Sequence, residues 1–170
     1  MAKMIQDLKR NGTIEKPYIG LPLGKINPKI IEIDKSADSF VSKITTPWFV
    51  ICEKSYKQFG YSTYLDLYYP EEDSDDDYIE GFYLLSLLDP LVTPLFKFVP
   101  NATDNLNYGI DKLRFTSKVT KNDILRLACS IKSIRSKPSA KVVKVYCVME
   151  LYGREKPAFV TDWLIYLLYQ

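Results

Sequence analysis

Apolar and polar residues alternate with a period of two through much of the C-terminal half, which is the pattern of half-buried strands. Residues 125–134 place Leu125, Leu127, Cys129 and Ile131 on one face. Ser136-Lys137-Pro138-Ser139 is a turn signal. Residues 140–151 then set Val143, Val145, Cys147, Met149 and Leu151 on one face and Lys144, Tyr146 and Glu150 on the other. Tyr152-Gly153-Arg154-Glu155 predicts another turn, leading into the aromatic and β-branched stretch 157–169. Upstream, Leu113-Arg114-Phe115 leads into a turn region at 118–123. Ahead of these strands lies the most apolar stretch, residues 81–99, which predicts a buried core helix ending or bending near Asp89-Pro90. Asp89, Pro90, Pro94 and Lys97 interrupt it too often for a membrane span. One buried helix followed by three or four long antiparallel strands predicts an α+β domain with a sheet curled around a helix.

The N-terminal third lacks such periodicity. Gly12, Pro17, Gly20, Pro22, Gly24 and Pro28 punctuate residues 1–30, which read as an irregular N-terminal arm. Residues 31–170 read as a single domain. A short helix is expected at 54–59, and residues 61–69 are aromatic-rich and extended or looped. The first ten residues are polar and mixed in charge, so no secretory leader is expected.

Composition narrows the chemistry. With 46% hydrophobic and 26% charged residues the chain has an ordinary globular balance, and its net charge of +2 gives no field that argues for nucleic acid or an anionic membrane. The three cysteines, Cys52, Cys129 and Cys147, form no CxxC pair. Cys129 and Cys147 lie in strand-like runs and read as buried thiols, which suits a cytoplasmic location. Residues 71–77, Glu-Glu-Asp-Ser-Asp-Asp-Asp, lack the glycine and distal glutamate of an EF-hand and read as a solvated loop. No metal or cofactor is expected. There is no histidine. Imidazole is the usual general base near neutrality, so chemistry here would rest on carboxylates, tyrosines, lysines, cysteines or backbone dipoles.

Two segments carry a family resemblance. Ile79-Glu80-Gly81-Phe82-Tyr83-Leu84-Leu85-Ser86-Leu87-Leu88 and Asn107-Tyr108-Gly109-Ile110-Asp111-Lys112-Leu113-Arg114-Phe115 resemble the MaoC-like hydratases and dehydratases of the hot-dog fold. Glu155-Lys156-Pro157-Ala158-Phe159-Val160-Thr161-Asp162-Trp163 is similar to that family's last hairpin, and Trp48-Phe49-Val50 to its opening strand. The resemblance spans roughly residues 45–169. It implies a helix starting near Gly81 wrapped by the sheet, edge-to-edge dimers, and water addition or removal on an acyl thioester carried by CoA or an acyl-carrier protein. On that reading the Gly81 amide, at the positive end of the helix, stabilises the thioester oxyanion. Asn107, Tyr108 and Gly109 either shape the acyl tunnel or form the turn into the next strand with Tyr108 in the core.

The chain departs from the family at its catalytic dyad. Members carry an Asp and a His in the loop before the central helix. Here the loop reads Gly60-Tyr61-Ser62-Thr63-Tyr64-Leu65-Asp66-Leu67-Tyr68-Tyr69-Pro70, and Glu80 stands where a second histidine precedes the glycine. Asp66 is the carboxylate left in the loop, and Tyr68 and Tyr69 are the candidate acids. Trp48 and Trp163 read as packing anchors, and the tyrosines as core or interface residues. Three functions are open. The chain is a non-catalytic acyl-thioester-binding or structural subunit, as a homodimer or paired with a catalytic hot-dog subunit. Alternatively it is an active hydratase using Asp66 or Glu80 with Gly81. The third possibility is an architectural or regulatory module whose tunnel has closed.

Overall fold

A computed structural model describes residues 16–24, 27–32, 43–67 and 78–169. The acidic run at 71–77, Tyr68 and Tyr69 lie outside the described residues. Four long strands form the body: β6 (Asp104–Phe115), β7 (Ile124–Lys137), β8 (Ala140–Leu151) and β9 (Phe159–Leu168). Short strands β1 (Tyr18–Ile19), β3 (Ile44–Thr45) and β4 (Phe49–Val50) extend the sheet at the β7 side, giving the order β1-β4-β7-β8-β9-β6, with β3 also on β7. All its ladders are antiparallel except β1 on β4. A separate parallel pair joins β2 (Lys29–Glu32) to β5 (Phe96–Val99). The arm expected to be irregular thus contributes β1 and the start of β2. Gly20 and Gly24 take left-handed backbone there (φ 78° and 74°), which ends each short extended piece.

The period-two pattern fixes the register. Leu127, Cys129 and Ile131 face Met149, Cys147 and Val145 across the β7–β8 ladder, and all six are buried. The Cys129 and Cys147 sulfurs stand 3.7 Å apart. Thr46, also buried, extends the ladder beyond β3. Its amide donates to the Leu127 carbonyl (2.9 Å) and its Oγ1 accepts from the Leu127 amide (3.0 Å).

Among the described residues three α-helices precede β5: α1 (Glu53–Ser62), α2 (Gly81–Ser86) and α3 (Leu88–Val92), with 3-10 turns at Leu65–Leu67 and Thr93–Leu95. The helix expected to start near Gly81 and to end or bend near Asp89-Pro90 is two short helices, followed by a turn and a strand over the rest of the apolar stretch. The break falls at Leu87, ahead of the expected Asp89-Pro90. Pro90 has no amide to return to Ser86, so the chain re-initiates with the proline in the first turn of α3, where that amide is not needed. The apolar face survives the break. Tyr83, Leu84, Leu87, Leu88, Leu91, Val92 and Leu95 join one core cluster with Leu127, Val145, Met149, Phe159 and Trp163 of the sheet. Burying each such leucine stabilises the fold by about 1.5–3 kcal/mol.

The start of α2 is pinned to the sheet. Ile79 donates its amide to the Val119 carbonyl at 2.7 Å, and Tyr78 bridges Thr120. The 118–123 segment is itself locked. Asp123 accepts from the Thr120 amide (2.7 Å) and from Arg154 (2.6 Å), while Arg154 also donates to the Lys118 carbonyl (3.0 Å).

Candidate functional site

A cleft runs between the α2–α3 helices and the inner side of β6 and β9. It has two chambers, of about 410 and 400 Å³. The first is largely apolar at its walls, with Phe82, Leu85, Leu88, Ile110 and Tyr108. The second adds Thr93, Lys97, Asn101 and Asn105 to Phe96 and Phe98. Asp89, Asn107 and Trp163 line both. Where the chambers meet, the Asn107 side-chain amide donates to Asp89 Oδ2 at 3.2 Å, while Thr93, one turn further along, donates to Asp89 Oδ1 at 2.7 Å. Trp163 forms the floor from β9 and is 4% exposed.

Asn107, Tyr108 and Gly109 come together in this cleft, but not as the turn considered above. They lie inside β6, where the pairing with β9 slips between Asn107 and Gly109. The extra residue is Tyr108. Rather than entering the core it is 52% exposed, its ring 5.3 Å from that of Tyr166 and its hydroxyl 3.4 Å from Lys137 Nζ. The bulge leaves both Asn107 and Ile110 opposite residues of the inner face, Ile165 and Trp163.

The start of α2 carries a carboxylate cap and an aromatic ring. Glu80 is the N-cap of α2, and its carboxylate accepts from the Tyr83 amide at 3.0 Å. Its own amide donates to the Tyr56 hydroxyl at 3.3 Å. Above Gly81 sits the ring of Phe115. A Cβ built on Gly81 would lie 3.0 Å from two of its carbons, so the glycine makes room for this ring. Phe115 also meets Phe82 and Phe159 edge-on, with centroids 6.1 Å away in each case. Asp66 lies in a 3-10 turn, Leu65–Leu67, and is exposed. Neither it nor Glu80 lines the cleft.

Beside the helix start is a polar-aromatic cluster. The Ser55 amide and hydroxyl at the first turn of α1 draw the Cys52 thiol below its ordinary range. Burial raises the Tyr83 hydroxyl, helped by Cys52 and Tyr56. Among the described residues no group of histidine, cysteine, aspartate or glutamate side chains is placed to hold a metal. No helix among them is long and apolar enough to cross a membrane.

Asp89 and Phe115 are the site residues that sequence reading missed. The spacing of Asp89 and Thr93, four apart on a helical stretch, was a usable signal for the first. No local pattern marks Phe115, because its position over Gly81 is a tertiary contact.

No family model matches the sequence, and no curated protein is detectably similar to it. Solved structures are. The monoamine oxidase regulatory protein from Archaeoglobus fulgidus superposes with a TM-score of 0.63 at 13% identity, over 84% of this chain and 97% of that one. The (R)-hydratase of A. caviae involved in PHA biosynthesis gives 0.56 at 12%, over 77% and 98%. A MaoC-like dehydratase from Rhodospirillum rubrum gives 0.55 at 14%, over 76% and 92%. The chain has the hot-dog fold that these MaoC-like hydratases and dehydratases share.

Proposed function

We propose that this chain is a non-catalytic hot-dog protein that binds an acyl thioester, working in the cytoplasm as a homodimer or beside a catalytic hot-dog subunit. One observation carries the reading: the start of α2 is covered while the cleft next to it is open. Phe115 packs against Gly81 on the side where a Cβ would stand, and the Glu80 carboxylate is engaged as a cap on the Tyr83 amide. An oxyanion site works only if its donors reach the place where charge develops. With no histidine in the chain, and with Asp66 and Glu80 outside the cleft, a base for hydration is also lacking from the expected positions. The neighbouring apolar chamber suits an alkyl chain.

The pairing part of the proposal rests on β6. It ends the sheet, and Leu106, Tyr108 and Ile110 stay exposed along it. Such an edge offers unpaired backbone groups to a second strand.

The test is a titration with octanoyl-N-acetylcysteamine alongside a crotonyl-CoA hydration assay. Saturable binding without turnover is the expected result. Turnover above buffer that is lost in Asp89→Asn would replace this reading with an active enzyme whose base is Asp89. Sedimentation gives the oligomeric state, and a monomer at micromolar concentration that acquires no partner would remove the pairing.

A further inference from the structure

We propose that the Asp89–Asn107 bridge is the specificity determinant of the cleft. It selects an acyl chain interrupted by a hydrogen-bonding group, a hydroxyl or an amide, over an unbroken alkyl chain. The inference rests on the acyl-binding reading above and names the chemical class of its ligand.

The bridge spans the cleft between its two chambers. Asp89 reaches it from α3 and Asn107 from β6, and both line each chamber. A chain that occupied both chambers would run beside these side chains, both of which are exposed. An ionised carboxylate has about four acceptor positions. Thr93 and Asn107 each fill one of those on Asp89, which leaves it able to accept from a ligand. Asn107 uses only its amide nitrogen in this bridge, so its carbonyl oxygen is a second acceptor at the same place.

An unbroken alkyl chain lying here would strip water from the carboxylate and return nothing, and uncompensated burial of a charged acceptor is unfavourable. A chain with a hydroxyl or amide N–H at the crossing replaces that water with a donor. The walls agree with such a ligand. Phe82, Leu85, Leu88 and Ile110 surround the apolar segment on one side of the bridge. Thr93, Lys97, Asn101 and Asn105 offer polar partners beyond it.

Trp163 lines both chambers and reports occupancy of either. Trp48, the second of the two tryptophans, is removed by Trp48→Phe. The probes are N-acetylcysteamine thioesters of one straight acyl chain, unsubstituted or with a single hydroxyl walked along successive carbons. One hydroxyl position is expected to bind at least about tenfold tighter than the plain chain, a fraction of what a fully enclosed hydrogen-bonding site achieves. Asp89→Ala should remove that advantage and tighten the plain chain. Asn107→Ala should weaken it, and the isosteric Asp89→Asn, which still accepts hydrogen bonds, should keep part of it.

Equal binding of every probe, or a preference unmoved by Asp89→Ala and Asn107→Ala, would overturn the inference and leave the acyl-binding reading standing. Binding of none of them would overturn both. Thermal unfolding of each variant identifies a change caused by misfolding, and the folded Asp89→Asn protein decides the question if Asp89→Ala does not fold.

Discussion

At the residue scale the three thiols divide into two kinds. Cys129 and Cys147 face each other in the core, and burial pushes the Cys129 thiol well above its ordinary range, with the Cys147 sulfur adding to the effect. Cys52 caps α1, is half-buried, and is drawn the other way by the Ser55 amide. Thiolate is the reacting form, so iodoacetamide at neutral pH should modify Cys52 alone in the native protein and all three thiols in denaturant. Peptide mass mapping checks this, and native labelling of Cys129 at a comparable rate would contradict the packing described. The buried thiols were legible because residues 129 and 147 fall on the apolar phase of two alternating runs. Asp162 was not. It occupies a polar-phase position of β9 yet is only 2% exposed, its carboxylate held by Lys132 Nζ at 2.8 Å. Lys132 reaches it from the bulge between Ile131 and Ser133, and lies 4.1 Å from the centre of the Tyr146 ring. Alternation says which face a residue takes. It does not say that a long side chain from two strands away will cover it.

At the scale of the element, β7 and β8 were readable from alternation of apolar and polar positions, and β9 from its aromatic and β-branched composition, since it is buried on both faces. The expected 140–151 run is β8 to the residue. β6 was read only at its end, from Leu113, because nearly all of its twelve residues are exposed or half-exposed and show no alternation. Edge position and two slips in pairing erase the periodic signal. The central helix was readable as an apolar block interrupted near Asp89-Pro90, but the break falls earlier, at Leu87, because the apolar periodicity continues across it. The role of Glu80 also belongs here. As an N-cap it satisfies an amide of a six-residue helix that has few other bonds of its own. Glu80→Ala should lower stability by about 0.5–2 kcal/mol. Glu80→Gln, which keeps an acceptor, should recover most of this, and denaturant unfolding measures both. An unchanged midpoint for Glu80→Ala would free Glu80 for another role.

Over the whole molecule, charge is distributed unevenly along the sheet. Arg126, Lys132, Arg135, Lys137, Lys141 and Lys144 lie in β7 and β8 without an acidic residue between 124 and 149. The acids that answer them come from elsewhere. Glu150 is partly buried, which would raise its carboxyl, but hydrogen bonds from Lys43 and Arg126 outweigh this and hold it below the ordinary carboxylate range. A hydrogen bond and the nearby charge of Lys144 lower Asp111 in the same direction, overcoming slight desolvation. A carboxyl depressed in the folded state binds fewer protons there than in the unfolded chain. Its stabilisation is complete above the unfolded pKa and is lost as pH falls through the folded one. The unfolding midpoint should therefore drop as pH is lowered below about 4.5, and Glu150→Gln should flatten that acid limb while lowering stability at pH 7. Equal acid limbs in the two proteins would show that these pairs do not tie the segment before β3 to the sheet. The outer strand carries one more consequence, for growth. A long straight exposed edge invites pairing with strands other than its intended partner. In β6 the ladder slips after Asn107 and again after Asp111, and Lys112 takes a left-handed backbone (φ 54°), so the strand offers only short flat stretches. Deleting Tyr108 removes the first slip, and should make the protein form thioflavin-positive fibres on prolonged incubation more readily than its parent. A clear solution from that variant would place the limit on growth outside β6. The irregularities that hid this strand from sequence reading also shorten the flat edge it offers to stray strands.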